Sequence, residues 1–235
     1  MTIKNTSIHQ PVRSFVRRAG RLTTAQREAL ETLLPSYTLD TSHPFDPPTV
    51  FGRQAPCWLE IGFGNGQVLL QLASKHPHVD FVGVEVHDPG VGRLLIGLQE
   101  QALSNVRVHH GDASELLRSV VKPASLDRIM VFFPDPWPKK RHHKRRLLQP
   151  KMVNLLTQAL RPGGVLHAAT DWQSYAEQML EVLDAQPGLS NPAGAGAYAA
   201  DSDVRPETHF ERRGVRLGHG VWDLLFERND NVVAG

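Results

Sequence analysis

From Pro56 onward the chain alternates short β-branched or apolar runs with longer stretches of helical period. That alternation marks βαβ units, because neighbouring parallel strands need a crossover long enough to hold a helix. The pattern predicts strand one at Cys57 to Ile61, a helix from about Gly66 to Lys75, and strand two at Phe81 to Val86. It continues with a helix near Val91 to Leu103, strand three at Val106 to His109, and a short helix around Ala113 to Val121. Arg128 to Phe133 holds the most apolar run and reads as a central fourth strand, covered on both faces. Met152 to Leu160 then reads as a helix stopped by Arg161-Pro162-Gly163-Gly164, since proline cannot continue it and glycine suits the left-handed cap. Strand five follows at Val165 to Ala169, a helix at Tyr175 to Asp184, and a last strand at Val221 to Phe226. Pro187 to Pro206, rich in Pro, Gly, Ala and Asp, reads as a mobile loop. The order of elements gives an open, doubly wound α/β sheet, whose ligands belong at the carboxyl ends of the strands.

The 235 residues, 40% hydrophobic, suffice for one full core. A single domain is expected at 57–235, preceded by a basic N-terminal arm or helix at 1–40 and a proline-rich linker at 41–56. The net charge is only +2, but the basic residues are concentrated in two stretches, so their placement matters more than their sum. One stretch is N-terminal, with Lys4, Arg13, Arg17, Arg18, Arg21 and Arg27 against the lone acid Glu28 in the first thirty residues. No apolar segment follows Arg17-Arg18 as a twin-arginine signal requires, and an arm that touches an anion is the better reading than a transit peptide. The single cysteine, Cys57, excludes an intramolecular disulfide and fits a reducing cytoplasm. No apolar run approaches the roughly 18 residues of a membrane helix. The 12 histidines include the adjacent pairs His109-His110 and His142-His143, a spacing that does not suit a metal site.

The segment Leu59 to Gly66 ends strand one and opens a helix, where bare backbone can approach a ligand. Its glycines, Gly62, Gly64 and Gly66, are spaced G-x-G-x-G, and Gln67 stands where a dinucleotide fingerprint needs the third glycine. Three acids stand at successive strand ends: Glu60, Glu85 and Asp112. Glu85 lies nineteen residues beyond Gly66, near the offset of about 20 at which a carboxylate meets ribose hydroxyls. Asp112, with Ala113, is placed for an adenine amino group, and Glu60 for an ammonium. Carboxylates in phase with the glycine loop suit S-adenosylmethionine, which carries an ammonium, a sulfonium and a ribose, and would repel a pyrophosphate. The bland alternative is that such acids cap helices or lie solvated.

Strand four runs into Phe133-Pro134-Asp135-Pro136-Trp137-Pro138, where three prolines preset the direction of Asp135. From Lys139 to Arg146, six of eight residues are Lys or Arg and none is acidic, a surface for a polyphosphate. Trp137 suits either base stacking or packing against its prolines.

Phe133 to Arg146, together with Leu59 to Gly66, Thr170-Asp171-Trp172, Thr208 to Gly214 and Gly218 to Asp223, closely resembles the bacterial tRNA (guanine-N7)-methyltransferase family. Ser14 to Arg18 is similar to that family's N-terminal segment. The resemblance implies a class I S-adenosylmethionine-dependent methyltransferase with a mostly parallel seven-stranded sheet, its last strand antiparallel. It implies tRNA as partner and the variable-loop guanine as target; a cytoplasmic location, no metal, and a monomer or homodimer complete the expectation. By the same resemblance Glu60, Glu85, Asp112 and Asp135 contact the cofactor, and Asp135 is catalytic. Lys139, Asp171, Thr208, His209, Phe210 and Glu211 meet the substrate, and Arg141, His142, His143, Lys144, Arg145 and Arg146 meet RNA. His209 departs from the lysine common in the family. Two rivals stand beside this reading: a methyltransferase acting on an exocyclic base amine, because Asp135-Pro136-Trp137 loosely resembles the loop of those enzymes, and an RNA-binding module with a relic cofactor pocket. Carbon-5 pyrimidine methylation needs a cysteine nucleophile, and Cys57 precedes a buried strand on the wrong side of the glycine loop.

Overall fold

The computed structural model describes residues 20–200, 205–206 and 220–229. Its strands are β1 (Cys57–Ile61), β2 (Asp80–Glu85), β3 (Val106–His110), β4 (Leu126–Phe132), β5 (Leu160–Thr170), β6 (Leu189–Ser190) and β7 (Trp222–Arg228). They form one sheet in the order β3-β2-β1-β4-β5-β7-β6. Pairing is parallel from β3 through β5, and β7 runs antiparallel to both β5 and β6. The open, mostly parallel seven-stranded sheet expected from the sequence is therefore present. Its chain runs outward from β1 to β3, then crosses back to β4 and onward to β5. The carboxyl ends of β1 and β4 thus flank the topological switch point, where an open α/β sheet leaves a crevice.

The helices are α1 (Thr24–Thr32), α2 (Leu34–Tyr37), α3 (Pro47–Phe51), α4 (Gln67–Lys75), α5 (Asp88–Glu100), α6 (Ala113–Ser119), α7 (Pro150–Ala159) and α8 (Gln173–Asp184). Strand alternation divides the core into two layers. Cys57, Leu59 and Ile61 of β1 share one apolar cluster with Leu116 of α6, Leu156 of α7 and Met179 of α8. Trp58 packs on the other, formed with Leu69 and Leu72 of α4, Leu94 and Leu98 of α5, and Ala29 of α1. In α4 the buried positions Leu69, Leu72 and Ala73 follow the three-and-four spacing of a single helix face. A capping box starts α1: Thr23 Oγ1 accepts from the Gln26 amide, and Gln26 Oε1 accepts from that of Thr23. Gln26 also donates from Nε2 to the Pro89 carbonyl at 3.1 Å, fastening α1 to the start of α5.

The structure departs from the sequence expectations at four places. α5 begins at Asp88 rather than near Val91, because Pro89 suits the first turn of a helix and does not interrupt one. α7 ends at Ala159 and Leu160 already pairs with Leu126. Arg161 to Gly164 then form an excursion within β5, with Gly163 at φ +74°, before pairing resumes at Val165. The proline-rich stretch contains α3, and Phe45 bridges to Val121 just before it.

The segment from Pro187, expected to be mobile, is the fourth such place. As far as residue 200 it is tied down: it contains β6, and Ala199 bridges to Asp223 of β7. Gly196 N donates to Asp184 Oδ2 at 2.7 Å, and Asn191 Nδ2 donates to the Ala197 carbonyl at 3.0 Å. Small polar residues here satisfy one another's backbone groups, a use that composition alone does not distinguish from disorder.

Among the described residues, no helix is long and apolar enough to cross a membrane. None of their His, Cys, Asp and Glu side chains form a group of three or more able to hold a metal ion.

Candidate active site

A cavity of about 230 Å³ opens at the switch point. Gly62, Glu85, Asp112, Ala113 and Asp135, all expected at the site, line it, whereas Glu60, Gly64 and Gly66, expected there too, do not. His87, Phe133 and Leu147 line it as well and were not anticipated.

The glycine loop leaves β1 with Gly62, Gly64 and Gly66 at φ of +75°, +57° and +75°. Only glycine adopts that left-handed region without strain, which accounts for the spacing read in the sequence. Gly90, in the first turn of α5, matters for a different reason. A Cβ there would lie 2.1 Å from the Gly64 carbonyl oxygen, so α5 can approach the loop only because the side chain is absent.

Glu85 ties this loop to β2. One carboxylate oxygen accepts from Gly64 N at 2.9 Å, and the other from Val86 N at 2.7 Å and His87 N at 3.1 Å. Register pairs Glu60 with Gly83, which places Glu60 and Glu85 two positions apart on the same sheet face. Glu60 is buried, and its Oε2 has no hydrogen-bond partner among the described residues. Burial, with the nearby Glu85 adding to it, pushes the Glu60 carboxyl up to about 8. Its neighbours Ile61 and Gly62 line the cavity.

Asp112 has two tasks. Its Oδ1 caps α6, accepting from Ser114 N at 2.7 Å, Ser114 Oγ at 2.7 Å and Glu115 N at 3.4 Å. Asp112 also lines the cavity. The capping role that the sequence left as the bland alternative is thus real, and the capping bonds engage Oδ1.

On the opposite wall, Asp135 is exposed between Pro134 and Pro136. Phe133 and Trp137, on either side of that run, have φ of +49° and +44°. Non-glycine residues in that region cost about 1–3 kcal/mol each, so the loop holds its shape only because its surroundings impose it. Arg146 supplies much of that restraint. It was expected to contact RNA, yet it is 2% exposed and turned inward. Its Nε donates to the Pro136 carbonyl at 2.8 Å, Nη1 to the Ser174 carbonyl at 2.9 Å and to Gln178 Oε1 at 2.7 Å, and Nη2 to Ser174 Oγ at 3.1 Å. The guanidinium also lies 4.7 Å from the Tyr175 ring centroid. A buried planar donor set of this kind is a bracket for the loop and presents nothing to a nucleic acid.

The rest of the cationic stretch forms a 3-10 turn at Lys140–Arg145. Lys139, Lys140, Arg141 and Lys144 are exposed, while His142, His143 and Arg145 are half-buried. Arg145 lies over the Trp137 ring at 5.0 Å, and His142 meets that ring edge-on at 5.8 Å. Trp137 therefore packs within its own turn. Asp171 and Trp172 follow β5 at the same rim, outside the cavity lining.

Sequence reasoning also missed a group joining β5 and β7. His167 Nε2 and Arg205 Nε both donate to Asp223 Oδ1 at 2.8 Å, and Arg205 Nη2 donates to Oδ2 at 2.7 Å. Arg205 in turn lies 5.5 Å from the Phe133 ring centroid, touching the active-site loop. Thr208, His209, Phe210 and Glu211, like Arg13, Arg17 and Arg18, lie outside the described residues. Cys57 is fully buried at the amino end of β1, opposite the cavity, and burial pushes its thiol well above the usual value. It cannot serve as a nucleophile at this site.

A family model described as "Putative methyltransferase" matches residues 54–224. The chain is 54% identical over 222 residues to a tRNA (guanine-N(7)-)-methyltransferase of Alcanivorax borkumensis, covering 94% of this chain and 93% of the relative. It is 53% identical over 228 residues to the tRNA (guanine-N(7)-)-methyltransferase of Methylococcus capsulatus, covering 97% and 99%. Among solved structures, a variant of the 16S rRNA (adenine(1408)-N(1))-methyltransferase from Catenulisporales acidiphilia, with cosubstrate SAM, has a TM-score of 0.53 at 14% identity, covering 81% of this chain and 95% of its own. Likeness at that identity speaks for the fold. With both relatives more than half identical over nearly their entire length, the chain belongs to the tRNA (guanine-N(7)-)-methyltransferase family.

Proposed function

We propose that this protein transfers a methyl group from S-adenosylmethionine to N7 of a guanine in tRNA, the variable-loop guanine, in the cytoplasm. One observation carries the reading: Glu85, Asp112 and Asp135 converge on a single cavity at the switch point, beside a turn of exposed cations. The acids fit the cofactor. Glu60, buried with an open oxygen, suits its ammonium. Glu85 can accept from ribose hydroxyls in addition to its backbone donors, because a carboxylate has about four acceptor positions. Asp112, with Ala113, suits the adenine amino group. When bound, S-adenosylmethionine supplies a methyl group attached to positively charged sulfur.

Guanine N7 presents an in-plane lone pair and has no proton to lose, so the protein needs no strong base. Asp135 accepts hydrogen bonds from the guanine edge and stabilises positive charge as it moves onto the purine. Its flanking prolines and the Arg146 bracket hold the carboxylate in one direction, so that alignment contributes to the rate. Lys139 and Asp171 hold the substrate from the rim. Arg141, Lys144 and Arg145 meet backbone phosphates, with His142 and His143 shaping the turn that presents them.

Methyl transfer from labelled cofactor to unmodified tRNA tests this reading. Wild-type protein is expected to label the RNA, and Asp135→Asn to lose about 10²- to 10³-fold in kcat at saturating cofactor and tRNA. Near-normal turnover by Asp135→Asn at saturating cofactor and tRNA would contradict the role given to Asp135.

A further inference from the structure

Among the described residues, Trp172 is the large apolar side chain left open to solvent, 39% exposed. It follows Asp171 at the end of β5, on the rim that carries the cavity but outside its lining. The indole is held in place. Its Nε1 donates to Ser174 Oγ at 3.0 Å, and its backbone N donates to Thr170 Oγ1 at 3.2 Å. The same Ser174 Oγ accepts from Arg146 Nη2, and Arg146 Nε in turn holds the Pro136 carbonyl. One hydroxyl thus links the indole edge to the bracket of the Asp135 loop. Trp137, the other tryptophan near this loop, is already engaged by Arg145 and His142.

We propose that Trp172 is a stacking platform for an unpaired base of the RNA strand that flanks the methylated guanine. The inference rests on the tRNA reading above. An indole whose edge is already hydrogen-bonded loses little further freedom when a base covers its face. Exposed Lys139, Arg141 and Lys144 lie in the stretch that ends at Arg146, whose guanidinium shares Ser174 Oγ with the indole, so the cations that attract phosphates and the ring belong to one connected part of the rim. Because Trp172 lies outside the cavity, the base it meets is a neighbour of the reacting one. Stacking of this kind tolerates any base, so it does not by itself fix the sequence around the target.

Equilibrium binding of unmodified tRNA across a salt series, with cofactor binding measured in parallel, tests the proposal on Trp172→Ala and Trp172→Phe. Trp172→Ala is expected to weaken tRNA binding about five- to a hundredfold and Trp172→Phe far less, with cofactor affinity unchanged in both. Stacking releases no counterions, so the Trp172→Ala plot of log affinity against log salt should run parallel to wild type. Lys144→Ala should instead flatten it by about 0.7 to 0.9. Wild-type tRNA affinity in Trp172→Ala overturns the platform, as does a Trp172→Phe variant equally weak. Wild-type protein that forms no N7-methylguanosine on tRNA overturns the tRNA reading itself, an outcome independent of both variants.

Discussion

Arg146 donates its Nε proton to the carbonyl oxygen of Pro136 at 2.8 Å, from a buried position behind the loop that carries Asp135. Five polar and aromatic contacts converge on this one guanidinium, and the loop it braces is strained at Phe133 and Trp137. Arg146→Lys keeps the charge but not the planar fork. It is expected to lower kcat about 10- to 100-fold by misaligning Asp135, while cofactor affinity stays near wild type. A variant that weakens RNA binding with kcat unchanged would return Arg146 to the RNA surface.

The role proposed for Glu60 ties cofactor binding to pH. Its carboxyl is raised from 4.5 to about 8, so between those values the folded protein holds a proton that the unfolded chain releases. Its contribution to stability is therefore full below pH 4.5 and is lost as pH rises through 8. An ammonium beside Glu60 favours the ionised form, so cofactor binding at neutral pH should release a proton and tighten as pH rises toward 8. Calorimetry in buffers of different ionisation heat reads that release, and Glu60→Gln should abolish it. A binding heat independent of buffer in the wild type would remove Glu60 from contact with the cation.

Asp223 is the hub joining His167 to Arg205. Burial works to raise its carboxyl, but the hydrogen bonds from His167 and Arg205 outweigh this and bring it down to about 2. Its stabilising contribution is present above the usual 3.8 and is lost as pH falls toward 2. Asp223→Asn leaves the Arg205 guanidinium and the His167 ring poorly matched, a loss of about 3 kcal/mol that lowers Tm by about 6 to 12 °C. Calorimetric melting at pH 7 checks this. An unchanged Tm would mean that the ion pair is no stronger than one on an open surface.

On the proposed reading, Lys139 and the cations of the 3-10 turn that follows it act on RNA through charge. Lys139→Ala and Arg141→Ala should each lower the salt slope of tRNA binding by about 0.7 to 0.9 and leave cofactor affinity intact. Equal losses for both ligands would point to damage to the fold.

Much of the sheet was legible in the sequence because its strands are continuous apolar runs separated by helical periods, and β1 was bounded to the residue. The glycine loop was legible for a related reason: three left-handed positions in five residues admit little but glycine. Arg146 was not legible. In a run of like charges no periodicity indicates which member turns inward, and the nearest hint was the apolar pair Leu147-Leu148 directly after it. Gly90 was hidden inside Asp88-Pro89-Gly90, which has the composition of a turn although it forms the first turn of a helix. The His167–Asp223 contact joins residues 56 apart, and pairing across a sheet leaves no local mark.

The chemical identity of the product tests the central claim most directly. Unmodified tRNA is incubated with the protein and S-adenosylmethionine, then treated with borohydride and aniline, which cleave at cationic N7-methylguanosine. The account predicts cleavage at one guanine in the variable loop, dependent on both protein and cofactor. Uncut RNA carrying its new methyl group on an exocyclic amine would contradict it.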